Sequence, residues 1–333
     1  MKNLKDRKKD HLELAFQSRT DPPGRDPRFH YEPMLQAHPR KGLPPIRFLG
    51  KELRVPMWVS GMTGGMQQAG SINRNLAMAC NEFGMGMGLG SCRAILEDDS
   101  CFDDFNMRGI IGNDLPLWAN LGIAQVEELV EKKEVEKAVD LVGKLGADGL
   151  VIHVNPMQEL FQPEGDVLIK APLDTIRSFM EKCSFPLIVK EVGQGMGPES
   201  LRELLRLPLQ AIEFAAYGGT NFARVELLRA GRAVQEYYEP LSRVGATAEE
   251  MVDHVNSIAA GEETLCKEVI ISGGITHFLD GYYLIRKSAL PAIYGMGLEF
   301  LRYAMDDYDR LRDFVHAQVQ GLEMAYAYLT LKE

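Results

Sequence analysis

The chain has 333 residues, of which 45% are hydrophobic and 25% charged, as is typical of a globular protein that folds as one large domain. Its 37 Lys and Arg residues against 47 Asp and Glu residues give a formal net charge of -10, which argues against nucleic acid or an anionic membrane as a partner. No apolar stretch approaches the ~20 residues of a membrane helix, and no apolar segment follows the charged N-terminus, so we expect a cytoplasmic protein.

Five cysteines are scattered along the chain. Their odd number, and the lack of any CxxC or zinc-ligand spacing, argue against a disulfide framework and against structural zinc. We expect all five to be reduced; they are Cys80, Cys92, Cys101, Cys183 and Cys266.

Residues 1–54 are rich in charge, proline and histidine, and the proline pairs at 22–23 and 44–45 prevent long regular structure. Residues 6–19 are expected to form one helix in which the apolar side chains are partly buried, namely those of Leu12, Leu14, Ala15 and Phe16. We interpret residues 1–54 as an arm that packs on a barrel and covers the substrate. The basic run at residues 5–9 would supply positive charge for an anionic substrate, although such a run is also typical of a solvated face.

From Val55 onward a pattern repeats in which a short apolar run ends in glycine or polar residues and an amphipathic stretch follows. Eight such strand ends lie at residues 60–65, 90–93, 119–122, 153–155, 190–193, 217–220, 272–275 and 294–297. Most neighbours are about 30 residues apart, the length of one βα unit. We therefore predict a (β/α)8 TIM barrel over residues 55–333, within a single domain overall. An open doubly wound sheet is the alternative, but no G-x-G-x-x-G follows the first strand.

Helix signals occupy the intervals between the strand ends. Apolar positions at helical spacing predict a helix over residues 123–145, ended by Gly146. A proline in the first turn predicts another helix over residues 198–205, and residues 304–331 are predicted to form a long C-terminal helix. The wide gap between the sixth and seventh strand ends leaves room for extra structure around residues 236–260.

Polar side chains crowd the end of the fourth predicted strand. His153 and Asn155 lie two residues apart, hence on one face, and Pro156 ends the strand before Gln158 and Glu159. Ligands of parallel α/β proteins bind at this end of the strands. The cluster therefore predicts a functional site.

Glycines at four other strand ends indicate a flat, phosphorylated ligand. Residues 272–275 and 294–297 close the last two strands, where barrel loops bind phosphate through backbone N–H groups. Residues 62–65 and 218–221 leave room for a flat ring against the backbone, although tight turns also explain single glycine pairs. Together these segments suggest flavin mononucleotide, FMN. Lys190 ends the fifth strand, from which its ammonium would stabilise negative charge on a reduced flavin.

The chain resembles type 2 isopentenyl diphosphate isomerase, the FMN-dependent enzyme that interconverts isopentenyl and dimethylallyl diphosphates. The resemblance spans almost the whole chain, and its motifs are specific because they occur together in order. They lie at residues 7–15, 62–65, 90–93, 119–122, 153–159, 163–166, 189–193, 218–222 and 272–275.

The resemblance implies a role for each matching residue. It places FMN against Met62, Thr63, Ser91, Asn120, Lys190 and Thr220, with the FMN phosphate at Gly273, Gly274, Gly295 and Met296. It places the substrate against Arg7, Lys8, His11, Arg93, His153, Asn155 and Gln158, and Mg2+ between the diphosphate and Glu159. NADPH is implied as the reductant of FMN, and a homotetramer or homooctamer as the assembly. A diphosphate calls for several cations and a hard metal ion, in agreement with this set.

The reaction requires protonation of an unactivated alkene, and no ordinary side chain near pH 7 is acidic enough alone. The resemblance implies that reduced FMN and its neighbours add one proton and remove another, so that no net oxidation occurs. Gln158, His153 and Lys190 are the predicted catalytic residues. Our hypothesis gives Gln158 substrate orientation or proton relay.

Three segments depart from the family pattern. Cys92 stands where Gln is expected, residues 213–216 stand where Asp and Gly-rich neighbours are expected, and residues 249–261 lack a Trp-containing segment. The alternatives are an FMN-dependent barrel oxidoreductase, a divergent homologue with another substrate, and a non-catalytic flavoprotein or scaffold. The first would not need the basic arm or Gln158 and Glu159, and the last would need none of the polar set.

Overall fold

The computed structural model describes residues 4–63 and 68–332, except for the side chains of residues 4–7, 9, 97 and 233. Its twelve described strands are β1 Phe29–Tyr31, β2 Ile46–Phe48, β3 Lys51–Leu53, β4 Met57–Val59, β5 Gly86–Gly88, β6 Leu117–Gly122, β7 Gly149–His153, β8 Leu187–Lys190, β9 Ala211–Glu213, β10 Val269–Ser272, β11 Ala292–Met296 and β12 Leu329–Leu331.

The first eight of the sixteen α-helices in these ranges are α1 Leu4–Ala15, α2 Ala69–Phe83, α3 Ala94–Glu97, α4 Phe102–Phe105, α5 Arg108–Ile111, α6 Ile123–Lys132, α7 Glu136–Lys144 and α8 Pro156–Phe161. The others are α9 Pro172–Met180, α10 Pro198–Leu205, α11 Phe222–Arg229, α12 Arg232–Ser242, α13 Ala248–Gly261, α14 Phe278–Lys287, α15 Leu298–Ala304 and α16 Tyr308–Tyr328. None of the helices in the described ranges is long and apolar enough to cross a membrane.

Strands β4 to β11 form a closed barrel in which every neighbouring pair is parallel and β11 pairs with β4. The predicted (β/α)8 barrel is confirmed, and the open doubly wound sheet is excluded because the strand order closes on itself. Six predicted strand ends directly follow or overlap the end of a barrel strand, and the second, at residues 90–93, is separated from the end of β5 by Leu89 alone. The sixth strand ends earlier than predicted, at Glu213, so residues 217–220 lie in the loop after it.

The barrel strands are three to six residues long. Both of their faces are buried, so most of them are continuous apolar runs. Trp58 and Trp118 are fully buried, and neighbouring glycines leave room for their indole rings. A Cβ on Gly86 would lie 2.7 Å from the Trp58 ring, and a Cβ on Gly149 would lie 2.5 Å from the Trp118 ring. These glycines are therefore required by packing.

We expect Gly149→Ala to lower the free energy of unfolding by about 1–3 kcal/mol, because overpacking a filled core costs about that much. The new methyl group would meet both the Trp118 ring and the carbonyl oxygen of Pro186, at 2.4 Å. Urea unfolding measures the difference. Gly143→Ala in α7 is the matched control, since nothing lies within 4 Å of its added Cβ. A loss at Gly143 as large as that at Gly149 would contradict the packing argument.

Several helix predictions were wrong in extent. The helix predicted over residues 123–145 is two helices, α6 and α7, because Lys133 adopts a left-handed conformation with φ 58°. The C-terminal helix predicted over residues 304–331 is α16 with the end of α15 before it and strand β12 after it. Helix α10 has the predicted bounds, and α12 and α13 supply the extra structure predicted around residues 236–260.

The arm meets the C-terminus through a two-stranded antiparallel sheet, in which Phe29 of β1 pairs with Leu331 of β12. Its helix α1 was predicted to be partly buried, and this prediction was wrong. Leu12, Leu14 and Phe16 are 74%, 53% and 90% exposed, and Ala15 is exposed as well. Helix α1 ends at Ala15, so Phe16 lies just after it, and these apolar side chains have no cover within the described part of this chain.

Candidate active site

Two adjoining cavities open at the carboxyl end of the barrel strands. The larger, of about 230 Å³, is lined by the ends of β4, β8, β9, β10 and β11, and the smaller, of about 140 Å³, by the ends of β4 to β8. They share the residues Gly61, Met62, Lys190, Val192 and Phe222. The two cavities therefore adjoin at these residues.

The predicted cofactor residues are divided between these cavities. The larger is lined by Met62, Lys190, Thr220 and the two glycine-rich ends that contain Gly273, Gly274, Gly295 and Met296. The smaller is lined by Met62, Lys190, Ser91 and Asn120, together with the predicted substrate residues His153 and Gln158. Thr63 lies buried behind them and donates its hydroxyl to Asn73 Oδ1 at 2.6 Å. Gly64 and Gly65, from the predicted glycine motif at residues 62–65, lie outside the described residues.

The glycine-rich end of β10 offers free backbone donors to the larger cavity. Gly273 and Gly274 have φ angles of 93° and 73°, a conformation that side chains other than glycine rarely adopt. The N–H groups of Gly274 and Ile275 have no backbone acceptor within the described ranges. A Cβ on Gly219 would lie 3.1 Å from Gly274 N, so the β9 loop closes directly over this turn. Such a turn is suited to an anion.

Three ionisable side chains lie side by side around the top of the barrel. The strand registers pair His153 with Lys190 and Lys190 with Glu213. Lys190 and Glu213 are both buried, and the hydroxyls of Ser60 and Ser272 donate to Glu213 Oε1. Lys190 therefore lies between His153 and Glu213 in one layer of side chains at the top of the barrel.

Lys190 is held by the loop that follows it. Its Nζ donates to the Glu191 carbonyl oxygen at 2.9 Å. The Glu191 carboxylate accepts three backbone N–H groups at 2.6–2.9 Å, from Gly193, Gln194 and Gly195. Burial raises the pKa of Glu191, while these N–H groups oppose that shift. The loop is thereby fixed, and the ammonium with it.

His153 is neutral in this environment. Burial lowers its pKa to about 3, and the positive charge of Lys190 contributes to the shift. Its Nδ1 lies 2.7 Å from Asn120 Oδ1, so Nδ1 carries the proton and Nε2 is left as an acceptor. An anionic ligand beside the ring would favour the charged form instead.

The depressed pKa of His153 predicts a pH-dependent stability. Between pH 6.5 and about 3 the unfolded chain binds a proton at this imidazole that the folded protein does not. The free energy of unfolding therefore falls as the pH falls, by at most about 1.4 kcal/mol per pH unit from this group. Urea midpoints across that range should fall less steeply in His153→Gln than in the wild type, with exposed His316→Gln as control. Equal slopes in all three would contradict the shift.

Helix α8 carries the densest polar network of the site. Asn155 Nδ2 donates to Gln158 Oε1 at 3.1 Å and to Glu159 Oε1 at 2.8 Å, and Gln158 Nε2 donates to Glu226 Oε1 at 3.4 Å. Glu159 Oε2 accepts the Asp166 N–H at 2.8 Å. Each oxygen of Glu159 thus accepts one hydrogen bond and keeps a lone pair for a further ligand.

The Asp166 carboxylate joins this network to a cation. Its Oδ2 accepts from Arg93 at 3.0 Å and from Gln125 at 3.1 Å. Arg93 is half-exposed, so its remaining donors stay accessible beside the smaller cavity's Ser91. The predicted substrate residues Lys8 and His11 are exposed on α1 and line neither cavity, and the side chain of Arg7 lies outside the described residues.

Known proteins from distant organisms match this chain over most of its length. Isopentenyl-diphosphate delta-isomerase of Rickettsia felis is 34% identical over 278 residues, covering 83% of this chain and 77% of its own. The enzymes of the same name from a Nostoc species and from Ignicoccus hospitalis are each 34% identical, over 82% and 84% of this chain and 75% and 76% of their own. This chain belongs to the isopentenyl-diphosphate delta-isomerase family.

The fold of this chain is also found in solved structures of flavoenzymes. A mandelate oxidase with an FMN adduct has a TM-score of 0.55 at 15% identity, covering 92% of this chain and 88% of its own. A flavocytochrome b2 variant with pyruvate bound has a TM-score of 0.62 at 15% identity, covering 89% and 71%. These likenesses show the barrel fold. No protein-family model matches the chain.

Glu226 is a site residue of this isomerase family member that the sequence alone did not reveal. It is 3% exposed in α11, it accepts from Gln158, and its Oε1 lies 3.0 Å from Arg229 Nη1. On a helical wheel it looks like any charged surface position. The packing of α11 against α8 turns it inward, and that packing joins segments about 70 residues apart, beyond the reach of local patterns.

The three departures from the isomerase pattern have clear positions. Cys92 is buried, and burial raises the pKa of its thiol to about 12, so the thiol stays protonated. Ala215 has a φ of 45° and donates its N–H to Ser272 Oγ at 2.9 Å. Residues 249–261 form most of α13, which begins with a capping box between Thr247 and Glu250 and packs on α10. The last segment supports the barrel from outside.

Proposed function

We propose that this chain interconverts isopentenyl diphosphate and dimethylallyl diphosphate, using FMN and Mg2+. The observation that carries the proposal is the meeting of the two cavities at Met62 and Lys190. The glycine-rich turns lie on one side of that junction, and Gln158 and His153 lie on the other. A flat anionic cofactor and an anionic substrate would thus lie side by side at this junction.

The residues of the larger cavity fit FMN. The free N–H groups of Gly274 and Ile275, in a turn that requires glycine, suit the phosphate. Buried Lys190 would lie against the ring, where a cation favours the reduced, negatively charged form. Met62 and Thr220 would flank the ring. When bound, reduced FMN would supply a proton-transferring centre close to the alkene.

The residues beside the smaller cavity fit Mg2+ held in part by its substrate. Mg2+ uses one or two carboxylates and completes its coordination with phosphate oxygens and water. Glu159 meets this need because both its oxygens are oriented by N–H donors and keep one lone pair each. In the described ranges no group of three His, Cys, Asp or Glu side chains could hold a metal alone. The diphosphate would therefore bring the ion.

The remaining cations would hold the diphosphate. Arg93 lies beside Ser91, and the resemblance adds Arg7, Lys8 and His11 from the arm. The negative charge of the diphosphate would raise the pKa of His153, in the direction opposite to burial and to the charge of Lys190. The substrate would then be fixed at its charged end, and its alkene would extend toward Gln158 and Lys190.

The chain's own groups would orient the alkene and exclude water, because none is a strong enough acid alone. Gln158 has a carbonyl oxygen and an NH2 group on the cavity wall, so it can orient the reacting carbons or relay a proton. The proton added to the terminal methylene is balanced by one removed from the allylic carbon. No net oxidation occurs.

The test is direct assay of the purified chain with FMN, dithionite or NADPH, Mg2+ and isopentenyl diphosphate. We expect dimethylallyl diphosphate, in amounts far above the enzyme concentration, and no product when either the reductant or Mg2+ is omitted. Bound and reducible FMN without any product would overturn the proposal. That result would favour the alternative of an FMN-dependent barrel oxidoreductase or a homologue acting on another substrate.

We further propose that the chain works in the cytoplasm as a homotetramer or homooctamer. Support comes from exposed apolar side chains on α1 and just after it, those of Leu12, Leu14 and Phe16. A neighbouring subunit would cover them and would bring the basic residues of α1 near a second site. Light scattering of the purified protein tests this, and a monomer at micromolar concentration would contradict it.

A further inference from the structure

Asn155 begins helix α8 in an unusual way. An Asn just before a helix normally uses its side-chain oxygen to accept an N–H group of the first turn. Asn155 makes no such bond, although it occupies that position. Its Nδ2 instead donates to the side chains of Gln158 and Glu159, at 3.1 and 2.8 Å. The donor end of this amide, rather than the acceptor end, faces the helix.

The direction of both amides is fixed by carboxylates at the two ends of the network. Glu226 is paired with Arg229 and can only accept, so the group of Gln158 that faces it must be Nε2. Gln158 Oε1 then faces Asn155, which must donate. Glu159 imposes the same orientation on Asn155 independently, because its carboxylate oxygen also needs a donor. Only one arrangement of the two amides satisfies every partner.

The acceptor end of Asn155 has no partner of its own. The residue is 3% exposed, and its Oδ1 has no hydrogen-bond partner within the described ranges. A buried unpaired acceptor is destabilising, and turning the amide over would place Oδ1 against Glu159. Asn155 also lines neither cavity at the barrel mouth. Its side chain therefore acts on α8.

We propose that Asn155 is a positioning residue, whose Nδ2 group holds the Gln158 amide and the Glu159 carboxylate in place through Oε1 of each. This inference rests on the proposed function, since the roles of Gln158 and Glu159 come from it. It replaces the direct contact with the diphosphate that the family resemblance implies for Asn155. Without the Asn155 donor, the Gln158 amide keeps only its 3.4 Å contact with Glu226, and its position against the alkene is no longer defined.

Kinetics of Asn155→Ala and Asn155→Asp with reduced FMN test the proposal. We expect kcat to fall about 100-fold in both, because a misplaced reacting geometry costs about that much. At saturating Mg2+, which keeps the metal site beside Glu159 filled, the KM for isopentenyl diphosphate should stay within about threefold, since no contact with the diphosphate is removed. Asn155→Asp keeps the size of the side chain but replaces the Nδ2 donor with a carboxylate oxygen, which would face the oxygen acceptors of Gln158 and Glu159. It should therefore be no faster than Asn155→Ala.

A double-mutant cycle sharpens the test. In a Gln158→Ala background and at saturating Mg2+, so that the contact of Asn155 with Glu159 is not limiting, Asn155→Ala should lower kcat by less than about threefold, because residues that act together are not additive. Asn256→Ala is the control for a purely structural loss. Unlike Asn155, Asn256 has a partner at both ends of its amide, donating to the Lys287 carbonyl and accepting from Ala289 N, and it lies on α13. We expect it to lower Tm and leave kcat unchanged.

Two kinetic results would overturn the inference. A KM raised about tenfold with kcat retained would indicate direct diphosphate binding, and independent losses in the cycle would show that Asn155 does not act through Gln158. A crystal structure of Asn155→Ala tests positioning without any assay, and an unmoved Gln158 amide would also overturn it. Failure of the proposed function is distinct, because it appears as an inactive wild type.

Discussion

Gln158→Ala should lower kcat by about 100-fold or more with prereduced FMN, within the range for a positioned proton-transfer group. The side chain lies on the wall of the smaller cavity, and its amide is held at both ends, by Asn155 and by Glu226. Truncation removes the group nearest to the expected position of the alkene, yet leaves the glycine turns and Lys190 in place. Stopped assays of dimethylallyl diphosphate measure the loss, and FMN absorbance verifies that the cofactor is still bound.

Gln162→Ala is the matched control for this variant. Gln162 ends the same helix, and its side chain lines neither cavity, so its removal should change kcat by less than about twofold. Full turnover of Gln158→Ala with prereduced FMN would refute the assignment. A loss of bound FMN in that variant would show that Gln158 supports the pocket rather than the substrate.

Glu159→Gln should raise the Mg2+ concentration needed for half-maximal activity by about 100-fold or more. The carboxylate is the expected metal ligand, and loss of even an outer-shell partner typically costs about 10–100-fold in affinity. Glutamine would also place an NH2 group against one of the two donors that now orient the carboxylate, Asn155 Nδ2 and Asp166 N. Initial rates across a Mg2+ titration measure the shift.

The nearby Glu164→Gln variant separates local charge from metal binding. Glu164 is exposed in the loop after α8, so its neutralisation should leave the Mg2+ dependence within about twofold of the wild type. Equal shifts in both variants would mean that only the general negative charge of this loop matters. An unshifted Glu159→Gln would remove Glu159 from the metal site.

The sequence was sufficient for the barrel and for most strand ends, because a buried parallel strand leaves a short apolar run and its polar end marks the site. The same logic located His153, Gln158 and Lys190, which the structure brings to one wall. Local patterns could not predict the break at Lys133, since the residues on both sides continue a helical periodicity.

Features that depend on long-range packing were out of reach. Glu226 has an ordinary helix sequence around it, and only the contact of α11 with α8 makes it a partner of Gln158. Leu12 and Phe16 are four residues apart, the spacing of one side of a buried helix, yet nothing in the described chain covers them. Hydrophobic periodicity predicts that a face will be buried, but it does not say whether the cover belongs to the same chain.

Isomerisation in heavy water tests the central claim most directly. With reduced FMN, Mg2+ and isopentenyl diphosphate, we expect dimethylallyl diphosphate that carries solvent deuterium in a methyl group, while the flavin stays reduced over many turnovers. This result requires addition of one proton and removal of another at a site that holds both reduced FMN and isopentenyl diphosphate. Product without deuterium, or one flavin oxidised for each product formed, would contradict the account.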